Sequence, residues 1–139
     1  MRFLILAAAL SITACGKEGE EAAAPMLPAG TYPGGGRDAL CVAGESGAQR
    51  AGFVVYGKDD ANCSVSGRIE AAGGAWNLIP TGDLDCRIPL RVSAGRISIG
   101  SVPQACAYYC GPGAMFDGKA FGPPAQGQPV TDFAGDPLC

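Results

Sequence analysis

The chain has 139 residues, a formal net charge of −3, 7 cysteines and no histidine. That length allows one small domain. The acidic balance disfavours nucleic acid as a partner. The absence of histidine excludes Ser-His-Asp and Cys-His catalysis, histidine-held zinc and histidine-bound haem.

In chain order, Arg2 is followed by an apolar run over residues 3–10 and then by small residues up to Cys15, the layout of an export signal. The run is too short to span a bilayer, which takes about 20 apolar residues. Ile12-Thr13-Ala14-Cys15 resembles the lipobox of bacterial lipoproteins. The resemblance implies that residues 1–14 are removed and that Cys15 becomes an acylated N-terminus. It implies a covalent lipid on Cys15 as the chain's one non-protein group, and the membrane as a partner through that anchor. Gly16, where an aspartate would argue for retention, places the protein by the same resemblance in the outer membrane, facing the periplasm.

Residues 15–36 read as the lipidated cysteine and a flexible tether, because EGEEAAAP and PGGG cannot bury enough apolar surface to offset the entropy of ordering. A compact region is expected over residues 37–122 and a Pro/Gly-rich tail lying over its surface at 123–139. Removing Cys15 from the count leaves Cys41, Cys63, Cys86, Cys106, Cys110 and Cys139. An even number in a small exported chain reads as a disulfide framework, with the connectivity open.

Period-two alternation marks the strands. Cys63, Val65 and Ile69 face in against Ser64, Ser66, Arg68 and Glu70. Leu84, Cys86, Ile88, Leu90 and Val92 face in against Asp85, Arg87, Pro89, Arg91 and Ser93. Ile97 and Ile99 follow through an Ala94-Gly95 hairpin. Residues 51–56 are apolar on both faces, so they are central or lie under a covering segment, and residues 40–43 and 75–80 complete the set. Pro89 lacks a donor and is expected at an edge or bulge. The fold class is all-β, a small antiparallel meander closing into a barrel or sandwich, disulfide-stapled, with one short helical turn near 104–110.

Within PQACAYYCGPGAM, Cys106 and Cys110 stand four apart on one face of that turn. Structural bridging to strands is the first reading. Redox or thiolate chemistry is the alternative, against which stand the three-residue spacing and the Gly-Pro-Gly that follows. Asp83 and Asp85 are the carboxylate pair a two-carboxylate hydrolase would need; exposed charges at a strand entry are their ordinary explanation. Trp76 and Tyr108-Tyr109 read as core packing. Arg68, Arg87, Arg91 and Arg96 all fall on outward positions; a charged, association-resistant sheet surface is the first reading, and a candidate basic face for an envelope protein or polymer is the alternative.

The expected function is therefore a lipid-anchored cell-envelope protein with a non-catalytic binding or envelope-maintenance domain; no catalytic residue and no metal site is assigned. In architecture alone such a domain resembles the bacterial periplasmic lysozyme inhibitors. Val65-Ser66-Gly67-Arg68-Ile69 lacks the tyrosine of their inhibitory loop, so no residue carries over.

Overall fold

The computed structural model describes residues 26–139, so the leader, Cys15 and the first part of the tether lie outside the described residues. Eight strands follow in chain order: β1 (Gly30–Pro33), β2 (Ala39–Ala43), β3 (Arg50–Tyr56), β4 (Asn62–Ala72), β5 (Ala75–Pro80), β6 (Ile88–Ser93), β7 (Arg96–Ile99) and β8 (Ala120–Phe121). Each pairs antiparallel with the next in a single meander. The sheet nearly closes just past β8, where Gly122 N–H donates to the Pro33 carbonyl at 2.7 Å and Ala125 N–H to that of Thr31 at 2.8 Å. Of barrel and sandwich, the barrel is the architecture found. Near-closure leaves little of the unpaired edge that would template association.

Alternation decides what fills the interior. Leu40 and Val42 of β2, Ala51, Phe53 and Val55 of β3, Cys63 and Val65 of β4, Leu78 of β5, Ile88 and Leu90 of β6, and Ile97 and Ile99 of β7 form one buried cluster. Phe53 stands at its centre, edge-on to Phe116 at 5.2 Å and tilted against Phe121 at 6.2 Å. Each such side chain contributes about 1.5–3 kcal/mol of apolar burial.

Three inward expectations need correction or refinement. Val92, at the splayed end of β6, is 37% exposed, and Leu84 is 67% exposed. Leu84 fails because the strand begins only at Ile88; residues 81–87 form a turn in which alternation has no meaning. Ile69 is only half-buried, packed against the margin of the cluster. Pro89 is also not at an edge, since β6 lies between β5 and β7. Its carbonyl accepts Gly100 N–H at 2.9 Å, beyond the last β6–β7 pair Leu90–Ile99, so the missing donor falls where the ladder has ended.

The compact region begins earlier than residue 37. Leu27 is fully buried and β1 supplies the fully buried Tyr32, so residues 26–36 belong to the barrel. Mean composition concealed them because two large side chains sit among glycines and prolines. Gln49, itself buried, holds Leu27 by both backbone groups, accepting from its N–H at 2.9 Å and donating to its carbonyl at 2.7 Å.

The two ends of the barrel differ. At one end β4–β5 and β6–β7 turn tightly through Gly73-Gly74 (φ 55° and 85°) and Ala94-Gly95 (φ 51° and 74°). Positive φ at both positions is the hairpin geometry that matches strand twist. The entering chain at Leu27 and the exit after β8 share this end. At the other end lie the long connections, including residues 100–119 with the 3-10 turn Gln104–Tyr109. There Lys119 Nζ pairs with the nearly buried Asp38 at 2.8 Å, and Asp38 also accepts Tyr56 N–H at 2.8 Å. The charge is thus satisfied on both oxygens, which a buried carboxylate requires.

Candidate functional site

Disulfides position the 3-10 turn and the C-terminus. Cys41 bonds Cys139, Cys63 bonds Cys110 and Cys86 bonds Cys106. The 3-10 turn therefore hangs by two bridges, one to β4 and one to the turn before β6. Gly111 N–H adds a bond to the Asn62 carbonyl at 2.9 Å. Cys106 and Cys110 are partners of other cysteines, not of each other. Among the described residues no group of three or more His, Cys, Asp or Glu side chains is placed to hold a metal ion.

The capped end carries an open groove of about 430 Å³, lined by Val102, Ala107, Met115 and Phe116 with Gln104 and Asp117 at its polar margin. Met115 is 68% exposed there. Asp117 is engaged by Val102 N–H at 2.9 Å. Tyr108 points into solvent, 88% exposed, against the expectation of core packing. Tyr109 and Trp76 do pack against the core, both half-buried.

Asp83 and Asp85 do not form a carboxylate pair. Asp83 Oδ1 accepts the N–H groups of Asp85 at 3.0 Å and Cys86 at 3.1 Å, and Oδ2 accepts the Tyr109 hydroxyl at 3.1 Å. These bonds, that from Cys86 first, hold its carboxyl below the usual carboxylate range. Burial, and the bond to the anionic Asp83, push the Tyr109 phenol up to about 12. The constellation fastens the turn that delivers Cys86 and Arg87.

On the outer face, strand register sets arginines in a row. Arg50 of β3 lies directly opposite Arg68 of β4, and Arg68 opposite Ile79 of β5. Arg87, immediately before β6, continues the row. Ile79 is fully buried although it faces outward, as expected beneath flanking arginine stems. Glu70 takes Arg68 at 2.6 Å and Arg87 at 2.9 Å on its two oxygens. Those two bonds, Arg87's the larger, hold its carboxyl below the ordinary range. The Arg50 guanidinium donates to Ser66 Oγ at 3.2 Å.

The structure thus brings Arg68 and Arg87 together and sets Arg91 beyond them on the same face, cross-strand from Ser98. Arg96 does other work, donating to the Gly122 carbonyl where the barrel closes. Arg50 was missed because it is the first residue of its strand, before any alternation can be read. Cys15, the expected lipidation site, is outside the described residues. Compared with protein-family models, curated proteins and solved structures, the chain matches none.

Proposed function

We propose that this is a lipid-anchored cell-envelope protein, held by acyl chains on Cys15 in the outer membrane and facing the periplasm, whose barrel is a non-catalytic binding domain. The observation that carries the reading is where the chain enters the barrel. Leu27, only twelve residues beyond Cys15, is locked at the tight-turn end by Gln49. An anchor there holds the tight turns toward the bilayer and turns the long-loop end outward. Several acyl chains, each CH₂ contributing about 0.8 kcal/mol, keep such a domain at a surface without any apolar face of its own.

The oxidising envelope suits three bridges in so small a domain. A non-catalytic role is supported by the engagement of Asp83 in backbone bonds and of Cys106 and Cys110 in separate disulfides.

The test is the intact mass of the full chain purified from bacterial membranes, with thiols alkylated before and after reduction. The expected species lacks residues 1–14, carries acyl chains and has no reactive thiol until reduction. A cleaved but unacylated chain, or one retaining the leader, contradicts the anchor.

A further inference from the structure

The outer face of β3 to β6 carries an excess of positive charge, four arginines of which one carboxylate pairs two. Arg50, Arg68 and Arg87 share one row, and Arg91 lies on the same face two outward positions past Arg87, beyond Pro89. Against these four stands Glu70, whose two oxygens are already taken by Arg68 and Arg87. Arg50 and Arg68 are directly cross-strand, an arrangement of like charges that is unfavourable by itself. With strands about 4.8 Å apart, the row runs about 14 Å across the sheet.

We propose that this row binds a linear anionic polysaccharide, laid across the strands with its acidic groups against the guanidiniums. This rests on the reading of the barrel as a non-catalytic binding domain and names its ligand class. Arginine's planar fork pairs bidentately with carboxylate and sulfate groups alike, so the acidic group is either one. Near the guanidiniums stand Asn77 and Ser98, both half-exposed and able to exchange hydrogen bonds with sugar hydroxyls.

An acidic protein fits less well. The core of a protein interface is depleted in charge and enriched in aromatic side chains, and the exposed large apolar side chains among the described residues, Met26, Leu84, Val92, Tyr108, Met115 and Phe133, are not in the row. Single-stranded nucleic acid needs aromatic platforms for its bases. Trp76, the nearest in register, packs against the core.

The experiment titrates the full chain, in non-ionic detergent, with polygalacturonate, dextran sulfate and neutral dextran. Binding to at least one acidic polymer and none to dextran is expected, weakening roughly 20- to 40-fold between 50 and 200 mM salt for three contacts. Which acidic polymer binds identifies the acidic group. The variant R50Q/R68Q/R87Q is expected to lose at least tenfold in affinity with its disulfides intact. E70Q, which frees two guanidiniums, is expected to gain several-fold, and it keeps the test decisive if the triple variant fails to fold.

Equal binding of neutral dextran, undiminished binding by the folded triple variant, or weaker binding by E70Q overturns the proposal. So does a preference for an acidic protein probe over both acidic polymers. The mass of the same preparation reports acylation independently. Loss of polymer binding by an acylated protein therefore overturns this proposal alone, and binding by an unacylated protein leaves it standing.

Discussion

The two outer faces of this barrel are made by adjacent strands and treated oppositely. Over β2 and β3 the outward residues Cys41, Val54 and Tyr56 are apolar and lie under the C-terminal tail, where Val130 and Leu138 complete a second cluster. Over β4 to β6 the outward residues are mostly polar, among them Ser64, Ser66, Arg68, Glu70, Asn77 and Arg91, with Ile79 buried between them, and the tail reaches this face only at Ser66. The covered face is fastened by Cys41–Cys139, by Leu138 N–H to the Val130 carbonyl at 3.0 Å, and by Ser66 Oγ to the Leu138 carbonyl at 2.6 Å. The open face depends on polar fastenings alone. β3 is apolar on both sides because the tail returns over its outer face.

Breaking the covered face should have the largest effect. The Cys41–Cys139 bridge closes a separation of 98 residues. In the chain-entropy model a loop of that size is worth about 4–5 kcal/mol. The double substitution C41A/C139A should therefore lower the urea midpoint by the largest amount of any change discussed, with the slope showing whether the tail unfolds separately.

Gly52→Val should come next. A Cβ at Gly52 would stand 2.5 Å from the Leu138 carbonyl oxygen and 2.6 Å from its Cβ. Displacement of the tail at a cost of about 1–3 kcal/mol is expected, read as lower stability together with faster exchange of the Leu138 amide. Unchanged exchange there would mean the tail is not seated on β3.

On the open side, Tyr109 ties its turn to Asp83. Its pKa in the folded chain, about 12, lies above the ordinary value of 10.0. The unfolded chain therefore loses the phenolic proton first, and the stabilisation present below pH 10 is lost as pH rises toward 12. Wild type should lose stability over that window more steeply than Tyr109→Phe, measured as unfolding midpoints at fixed temperature; parallel curves would refute the linkage.

The smallest effect is expected from Arg68→Gln with Glu70→Gln. The pair is solvent-exposed, with relative side-chain exposures of 45% and 39%. Exposed pairs contribute little to folding, so no resolvable shift of the midpoint is expected, and a large one would mean the arginine row is structural.

Much of the fold was legible in the sequence. Strands β4, β6 with its hairpin, and β7 follow from alternation, and β5 from the Gly73-Gly74 turn before it; the doubly apolar β3 left a central place or a covering segment open, and the tail is that segment. The six-cysteine staple was legible as a count and illegible as a pairing, because connectivity depends on which loops return to which strands. The start of the barrel was hidden, since Leu27 and Tyr32 are held by Gln49 and by closure past β8, contacts that local composition does not encode. Leu84 misled because its apolar character continues a pattern through a turn that Asp83 creates by accepting two backbone N–H groups. Of the arginines, outward direction was readable from alternation, whereas the convergence of Arg68 and Arg87 on Glu70 and the sharing of a row with Arg50 depend on register.

The most direct test of this account is disulfide mapping of the native, unreduced protein by proteolysis and mass spectrometry. The structure requires Cys41–Cys139, Cys63–Cys110 and Cys86–Cys106, which together place the tail on β2 and β3 and the 3-10 turn across the barrel end. Recovery of those three linkages supports the covered and open faces as described. A Cys106–Cys110 linkage, or a free Cys139, would contradict the arrangement and return the search to thiol chemistry at the capped end.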